Sequence, residues 1–381
     1  MTPLRIALLS PFPPLKGGIA RFSDELRRAF EAAGCEVVPV PFRRLWPRWL
    51  MKGRPATESS DVNLPASPFV LDLVNPFTWF SAARKLRAAR PDVLLVAYWS
   101  GVLAPLMALM RRASGLPTVV LLHNFTSHES IPGESMLKRS LVSSSDGFIT
   151  LSRAVDSELR AFAPAARTLR LFHPLYERQT SAPAKADARR SLGLPEDAPV
   201  LLFFGYVREY KGLDTLLEAM AAVLRELPSA QLVVAGEFIL DSSRFREHAR
   251  RLGIDGAVEF REGYVPAGEV PTLMAAADVV VLPYRSATQS GIVSLALGHG
   301  VPVIACNAGG LGDQVEHGRT GWLVREEGAE ALAEGIIEFF GERERLPLAA
   351  GIDEFRRRNS WREFASLAAA FLETCSRRRS A

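Results

Sequence analysis

The sequence predicts an α/β protein of two doubly wound, parallel-sheet domains facing each other across a cleft. Three observations carry that expectation. Short apolar runs alternate with amphipathic stretches almost from end to end, the grammar of β-α-β units. The alternation is interrupted once, near residue 180. The 381 residues exceed the size at which one hydrophobic core keeps growing.

In the first domain, expected over 1–180, LRIALLS (4–10), EVVPV (36–40), DVLLVA (92–97), TVVLLH (118–123) and GFITLS (147–152) read as strands. Each is too short for a helix, rich in Val, Ile and Leu, and buried on both faces by its lack of polar alternation. IARFSDELRRAFEAAG (19–34) repeats apolar residues at helical spacing and closes on a glycine cap. ERQTSAPAKADARRS (177–191) then breaks the pattern as a linker and the start of a new unit. The second domain, expected over 181–358, has strands at PVLLFFG (199–205), AQLVVAG (230–236), AVEFREG (257–263), DVVVLP (278–283) and PVIAC (302–306). The remainder, 359–381, carries one amphipathic helix, SWREFASLAAAFLETC (360–375).

Composition narrows the partners. Residues 1–180 carry 23 Lys and Arg against 14 Asp and Glu, whereas the rest of the chain is net acidic. The basic half suits an anionic substrate or lipid surface. RRLWPRWLMKGR (43–54) interleaves Trp with Arg and Lys as interfacial segments do, although a solvated loop has the same composition. Helix-turn-helix, finger and RNA-binding signatures are absent, so nucleic acid is not an expected partner. Three scattered cysteines build neither a disulfide framework nor a zinc cluster, and no run has the length of a membrane span or the layout of a signal peptide. A cytoplasmic setting is expected, with the inner membrane face as the place for any lipid contact.

Four stretches carry candidate chemistry. In SPFPPLKGGIARF (10–22), Gly17 and Gly18 follow the first strand and open a helix, so backbone N–H groups can approach a phosphate closely. The pattern is not GxGxxG, which disfavours a dinucleotide site, and a plain turn reads the same way. In LLHNFTSHES (121–130), His123 ends a strand with Asn124, His128 and Glu129 close behind; acid–base or hydrogen-bonding roles fit better than a metal, for which a third ligand is missing. In FFGYVREYKGLDTLLEAM (203–220), Arg208 and Lys211 stand three apart on a strand-end loop bracketed by glycines, placed to clamp a diphosphate. The structural alternative is an exposed turn with two solvated cations. Lastly, SATQSGIVSLALGHGVPVIA (286–305) has no fixed charge and opens with Thr288, Gln289, Ser290, Gly291 and Ile292, where a helix start offers N–H groups and a hydroxyl.

These stretches, with AGGLGDQVEHGRTGWLV (308–324), resemble glycosyltransferase family 4, the retaining group 1 glycosyltransferases, over essentially the whole chain. The resemblance implies the GT-B fold of two Rossmann-like domains, with the final helix crossing back to the first. It implies transfer of a sugar from a nucleotide diphosphate donor, held by the second domain, to a glycan or lipid-linked acceptor held by the first, with no further cofactor and no metal. Arg208 and Lys211 then clamp the diphosphate, Gly17 and Gly18 lie against phosphate or sugar, Tyr264 and Val265 meet the base, and His123 serves the transferred sugar. Asn124, His128 and Glu129 fall to the acceptor or sugar. Relatives carry two glutamates eight apart; anchored on GVPVIA (300–305), those positions hold Ala287 and Leu295 here. Thr288 and Gln289 then supply neutral hydrogen bonds to the sugar. Besides an active transferase in bacterial polysaccharide or glycoconjugate assembly, a catalytically weak nucleotide-sugar-binding partner and a GT-B epimerase fit the class; the epimerase is disfavoured by the missing carboxylates.

Overall fold

The computed structural model describes residues 3–15, 17–45, 67–69, 71–126, 133–176 and 182–377. His128 and Glu129, and most of the basic stretch 43–54, lie outside them. The chain divides into two compact units, Met1–Phe172 with Ser360–Ala381, and His173–Asn359.

Unit 1 is built on a parallel sheet of order β3-β2-β1-β4-β5-β6-β7. Its strands are β1 (Arg5–Ser10), β2 (Glu36–Arg44), β3 (Leu71–Asp72), β4 (Val93–Tyr98), β5 (Thr118–Leu122), β6 (Gly147–Thr150) and β7 (Thr168–Arg170). Every residue of β4 and β5 is buried, as continuous apolar runs covered on both faces should be. The crossovers are α1 (Gly18–Ala32), α2 (Pro76–Ala89), α3 (Ala104–Ser114), α4 (Glu134–Ser143) and α5 (Arg153–Phe162). Helix α1 buries Phe22, Leu26, Ala29 and Phe30, spaced three and four apart, which fixes one face on the sheet.

Unit 2 has the sheet order β10-β9-β8-β11-β12-β13. Its strands are β8 (Val200–Phe204), β9 (Gln231–Gly236), β10 (Val258–Glu262), β11 (Val279–Leu282), β12 (Val303–Cys306) and β13 (Gly321–Val324). The helices are α6 (Lys185–Leu192), α7 (Leu213–Glu226), α8 (Ser243–Arg251), α9 (Val270–Ala276), α10 (Gly291–Gly298), α11 (Ala329–Glu342) and α12 (Leu348–Arg358).

The chain enters unit 2 at His173, ahead of the expected 180/181. Local packing accounts for this: the Leu175 N–H donates to the Asn359 carbonyl at 3.0 Å, and a Cβ on Gly298 would collide with the Tyr176 carbonyl. The last helix, α13 (Trp361–Ser376), belongs to unit 1. Ser360 caps it by accepting from the Glu363 N–H at 3.3 Å, the S-x-x-E arrangement of a capping box. Trp361 and Phe364 meet Phe22 of α1 edge-on, at ring separations of 4.9 and 6.2 Å.

Candidate active site

In a doubly wound sheet, ligands bind beyond the carboxyl ends of the strands, where the strand order reverses. In unit 2 that reversal lies between β8 and β11. Gly205 follows β8 with φ +100, and the chain then makes one short turn, 209–211, before Gly212 at φ +66 starts α7. Arg208 is exposed at the head of this turn and Lys211 is buried at its end. The ammonium of Lys211 stands 5.2 Å from the ring centre of Tyr284, which follows β11. Among the described residues no carboxylate pairs with it. Burial, with the charge of Arg208 adding to it, pushes the Lys211 ammonium down from 10.5 to about 8.

Helix α10 meets the same point. A Cβ on Gly205 would stand 3.3 Å from Ile292 Cδ1 and 3.4 Å from Lys211 Nζ, so the strand end, the buried cation and the first turn of α10 converge. Ser290 caps α10, its hydroxyl accepting from the Ile292 N–H at 3.2 Å. The Ser290 N–H donates to Gln314 Oε1 at 2.7 Å, and Gln314 Nε2 returns a bond to the Ser290 carbonyl at 3.2 Å. This corrects one expectation: the N–H groups of Ser290 and Ile292 are engaged within the protein. The helix start still presents its dipole to an anion, with the Ser290 hydroxyl beside it. Thr288 and Gln289 are half-buried just before it. Ala287 and Leu295 are both buried, and the Ala287 carbonyl accepts from the Gly310 N–H at 2.8 Å.

Two residues of this site escaped sequence reasoning. Gln314 is one. The other is His173, whose Nδ1 lies 2.8 Å from Ser294 Oγ on α10 and 2.9 Å from the Pro174 carbonyl. Its Nε2 would be 3.9 Å from a Cβ on Gly291, placing the ring beneath the first turn of the helix. The only signal was a His-Pro pair at the junction of the two halves. Burial holds His173 down at about 4 against an ordinary 6.5, so it is neutral at pH 7. Between those values the unfolded chain binds the extra proton, so stability falls as pH drops from 6.5 towards 4. His173→Gln is expected to flatten that part of the profile, read from urea midpoints at pH 7 and pH 5.

The other candidate residues are placed as follows. Tyr264 and Val265 follow β10, and Tyr264 is over a third exposed. In unit 1, Gly17 heads α1 with φ +128, a conformation that needs glycine, and no side chain caps that helix start among the described residues. His123 follows β5, buried, its N–H donating to the Tyr98 carbonyl at 2.9 Å and its ring edge-on to Phe22 at 4.9 Å. Asn124 is half-buried beside it. Gly17, Gly18, His123 and Asn124 thus share the carboxyl edge of the first sheet, whose order reverses between β1 and β4. No cluster of three or more His, Cys, Asp or Glu stands together as a metal site among the described residues.

Two doubly wound parallel sheets of seven and six strands, each with its candidate residues at the carboxyl edge, fit a two-domain Rossmann-like GT-B fold. The Anabaena protein HepE, solved in complex with UDP-glucose, superposes with a TM-score of 0.72 over 97% of this chain and 100% of its own, at 18% identity. Residues 17–174 match the family described as glycosyl transferase 4-like domain, and residues 184–353 match glycosyl transferases group 1. D-inositol 3-phosphate glycosyltransferase 1 of Catenulispora acidiphila is 30% identical over 380 residues, covering 91% of this chain and 88% of its own. The GDP-mannose-dependent alpha-(1-6)-phosphatidylinositol monomannoside mannosyltransferase of Mycobacterium tuberculosis is 28% identical, covering 96% and 97%. The chain belongs to the group 1 glycosyltransferases, and is a glycosyl-transferring enzyme.

Proposed function

We propose that the protein is a retaining glycosyltransferase that takes a sugar from a nucleotide diphosphate donor held by unit 2. The observation that supports this most is Lys211: a buried ammonium, unpaired with any described carboxylate, beside the start of α10 at the reversal of the sheet. Such a cation is costly to bury and is explained by an anion that completes it. Arg208 and Lys211 grip the diphosphate, while the α10 dipole and the Ser290 hydroxyl add to the same charge. Tyr264 and Val265 serve the base, Thr288 and Gln289 the sugar, and Gly17 and Gly18 the phosphate or sugar.

In the reaction the bond from the anomeric carbon to the donor phosphate oxygen breaks, and its electron pair leaves with the nucleoside diphosphate. An acceptor hydroxyl attacks from the same face and forms the new glycosidic bond, passing its proton to the departing phosphate. The protein's main task is to stabilise the charge developing on that phosphate, which is what Lys211 and Arg208 do. His123 and Asn124 serve the sugar or acceptor. His128 and Glu129 are assigned with them, on sequence alone.

The acceptor is a glycan or a lipid-linked glycan, and the setting is bacterial polysaccharide or glycoconjugate assembly on the cytoplasmic side. The mycobacterial relative is named for a phosphatidylinositol-linked acceptor, and no helix among the described residues is long and apolar enough to cross a membrane. The buried, neutral Ala287 and Leu295 favour a second reading, a nucleotide-sugar-binding partner of weak activity. Incubation with UDP-, GDP- and ADP-sugars and candidate acceptors separates the two: product with the donor's anomeric configuration supports the transferase, and binding without turnover supports the partner. Because Lys211 titrates at about 8, donor affinity is expected to fall as pH rises through that value, and Lys211→Arg to hold affinity to higher pH. Calorimetric titration at pH 7 and pH 9 checks it.

A further inference from the structure

Helix α2 carries a surface that the donor chemistry does not use. Phe77 is 84% exposed, Phe80 59% and the neighbouring Val74 42%. Phe77, Phe80, Arg84 and Arg87 recur at intervals of three and four, so they lie along one face of the helix. The opposite face is fixed to the unit by buried Ala82, Ala83 and Leu86, and by the Trp79 indole N–H, which donates to the Asp72 carbonyl at 2.8 Å. Asn75 caps the helix, accepting from the Phe77 N–H at 3.1 Å. Rolling the phenylalanines inward would break both anchors, so their exposure is built into the fold.

The charges on the helix complement the aromatics. PFTWFSAARKLRAAR (76–90) contains Arg84, Lys85, Arg87 and Arg90 and no acidic residue. Lys85 is tied to the Pro68 carbonyl at 2.6 Å, while Arg84 and Arg87 are exposed. Two rings at one end of a helix, followed by cations two turns on, match a bilayer surface: rings enter the headgroup–acyl boundary and guanidiniums meet lipid phosphates. The helix offers no carboxylate to receive the arginines of a second copy.

We propose that the exposed face of α2 docks the protein on an anionic lipid bilayer. The proposal deepens the lipid-linked acceptor reading and rests on it only for why a membrane is needed. The test is co-sedimentation of the full chain with vesicles of phosphatidylcholine, with and without phosphatidylglycerol, beside turnover on a water-soluble acceptor. The wild type is expected to pellet with the anionic vesicles and to be released by salt. Arg84→Gln with Arg87→Gln is expected to weaken binding about thirtyfold, at about 1 kcal/mol per cation. Phe77→Ser with Phe80→Ser is expected to abolish it while thermal unfolding and soluble turnover stay as in the wild type.

A wild type that stays in the supernatant, or a Phe77→Ser/Phe80→Ser variant that pellets like it, overturns the proposal. So does a dimer lost in that variant without vesicle binding, which would make the face a self-association surface. Pelleting without turnover of any nucleotide sugar leaves the docking surface standing and removes the donor reading. Turnover without pelleting does the reverse.

Discussion

Lys211→Met is expected to cut transfer severely while leaving the protein as stable as the wild type, or more so. Methionine keeps most of the apolar stem but removes a charge that is buried and unpaired with any described carboxylate. The sign follows from titration. Lys211 sits at about 8 when folded against 10.5, so the unfolded chain binds more protons between those values. Stability therefore rises with pH across that window, and at pH 7 the ammonium opposes folding. Loss of one pre-placed group for developing charge costs about 100–1000-fold in turnover. Steady-state kinetics and a thermal melt on the same sample check both halves. A variant that loses activity and stability together would make Lys211 a structural residue.

Gly212→Ala is expected to damage stability and the site together. Gly212 has φ +66, and its missing Cβ points at the Pro283 carbonyl, which an added methyl would strike. Left-handed backbone strain and the collision together cost about 2–4 kcal/mol. The damage is local to the site, because Gly212 separates Lys211 from α7 and Pro283 leads from β11 to the Thr288–Ser290 loop. Gly34 is the control: its φ is +85 but an added Cβ meets open space, so Gly34→Ala costs only about 1–2 kcal/mol. Urea midpoints for the pair separate collision from backbone strain.

The strands of both sheets were legible because parallel strands buried on two faces read as unbroken apolar runs. The order of the units along the chain followed from them. Strands β3, β7 and β13 were not singled out, since LD, TLR and GWLV are too short to stand above their surroundings. At the site, Arg208 and Lys211 were legible as cations on a glycine-bracketed strand end, but their divergence, one exposed and one buried, depends on Tyr284 and Ile292 from distant parts of the chain. His173 and Ser294 are 121 residues apart in sequence, and no local pattern announces their bond. The capping of Ser290 by Gln314 is hidden for the same reason, with 24 residues between them.

The neutral opening of α10 makes sense beside these partners. Two hydrogen-bonded pairs, Ser290 with Gln314 and Ser294 with a neutral His173, hold the helix start without any carboxylate. Ala287 and Leu295 then fill buried positions, and in the proposed reading the charge that meets the donor comes from the cations before α7.

The most direct test of this account is calorimetric titration of wild type and Lys211→Met with UDP-, GDP- and ADP-sugars at pH 7. At least one of them is expected to bind the wild type, and its affinity to fall at least tenfold in the variant, the loss of one charged phosphate contact. Equal binding by both proteins, or binding of none of the donors to the wild type, would contradict it.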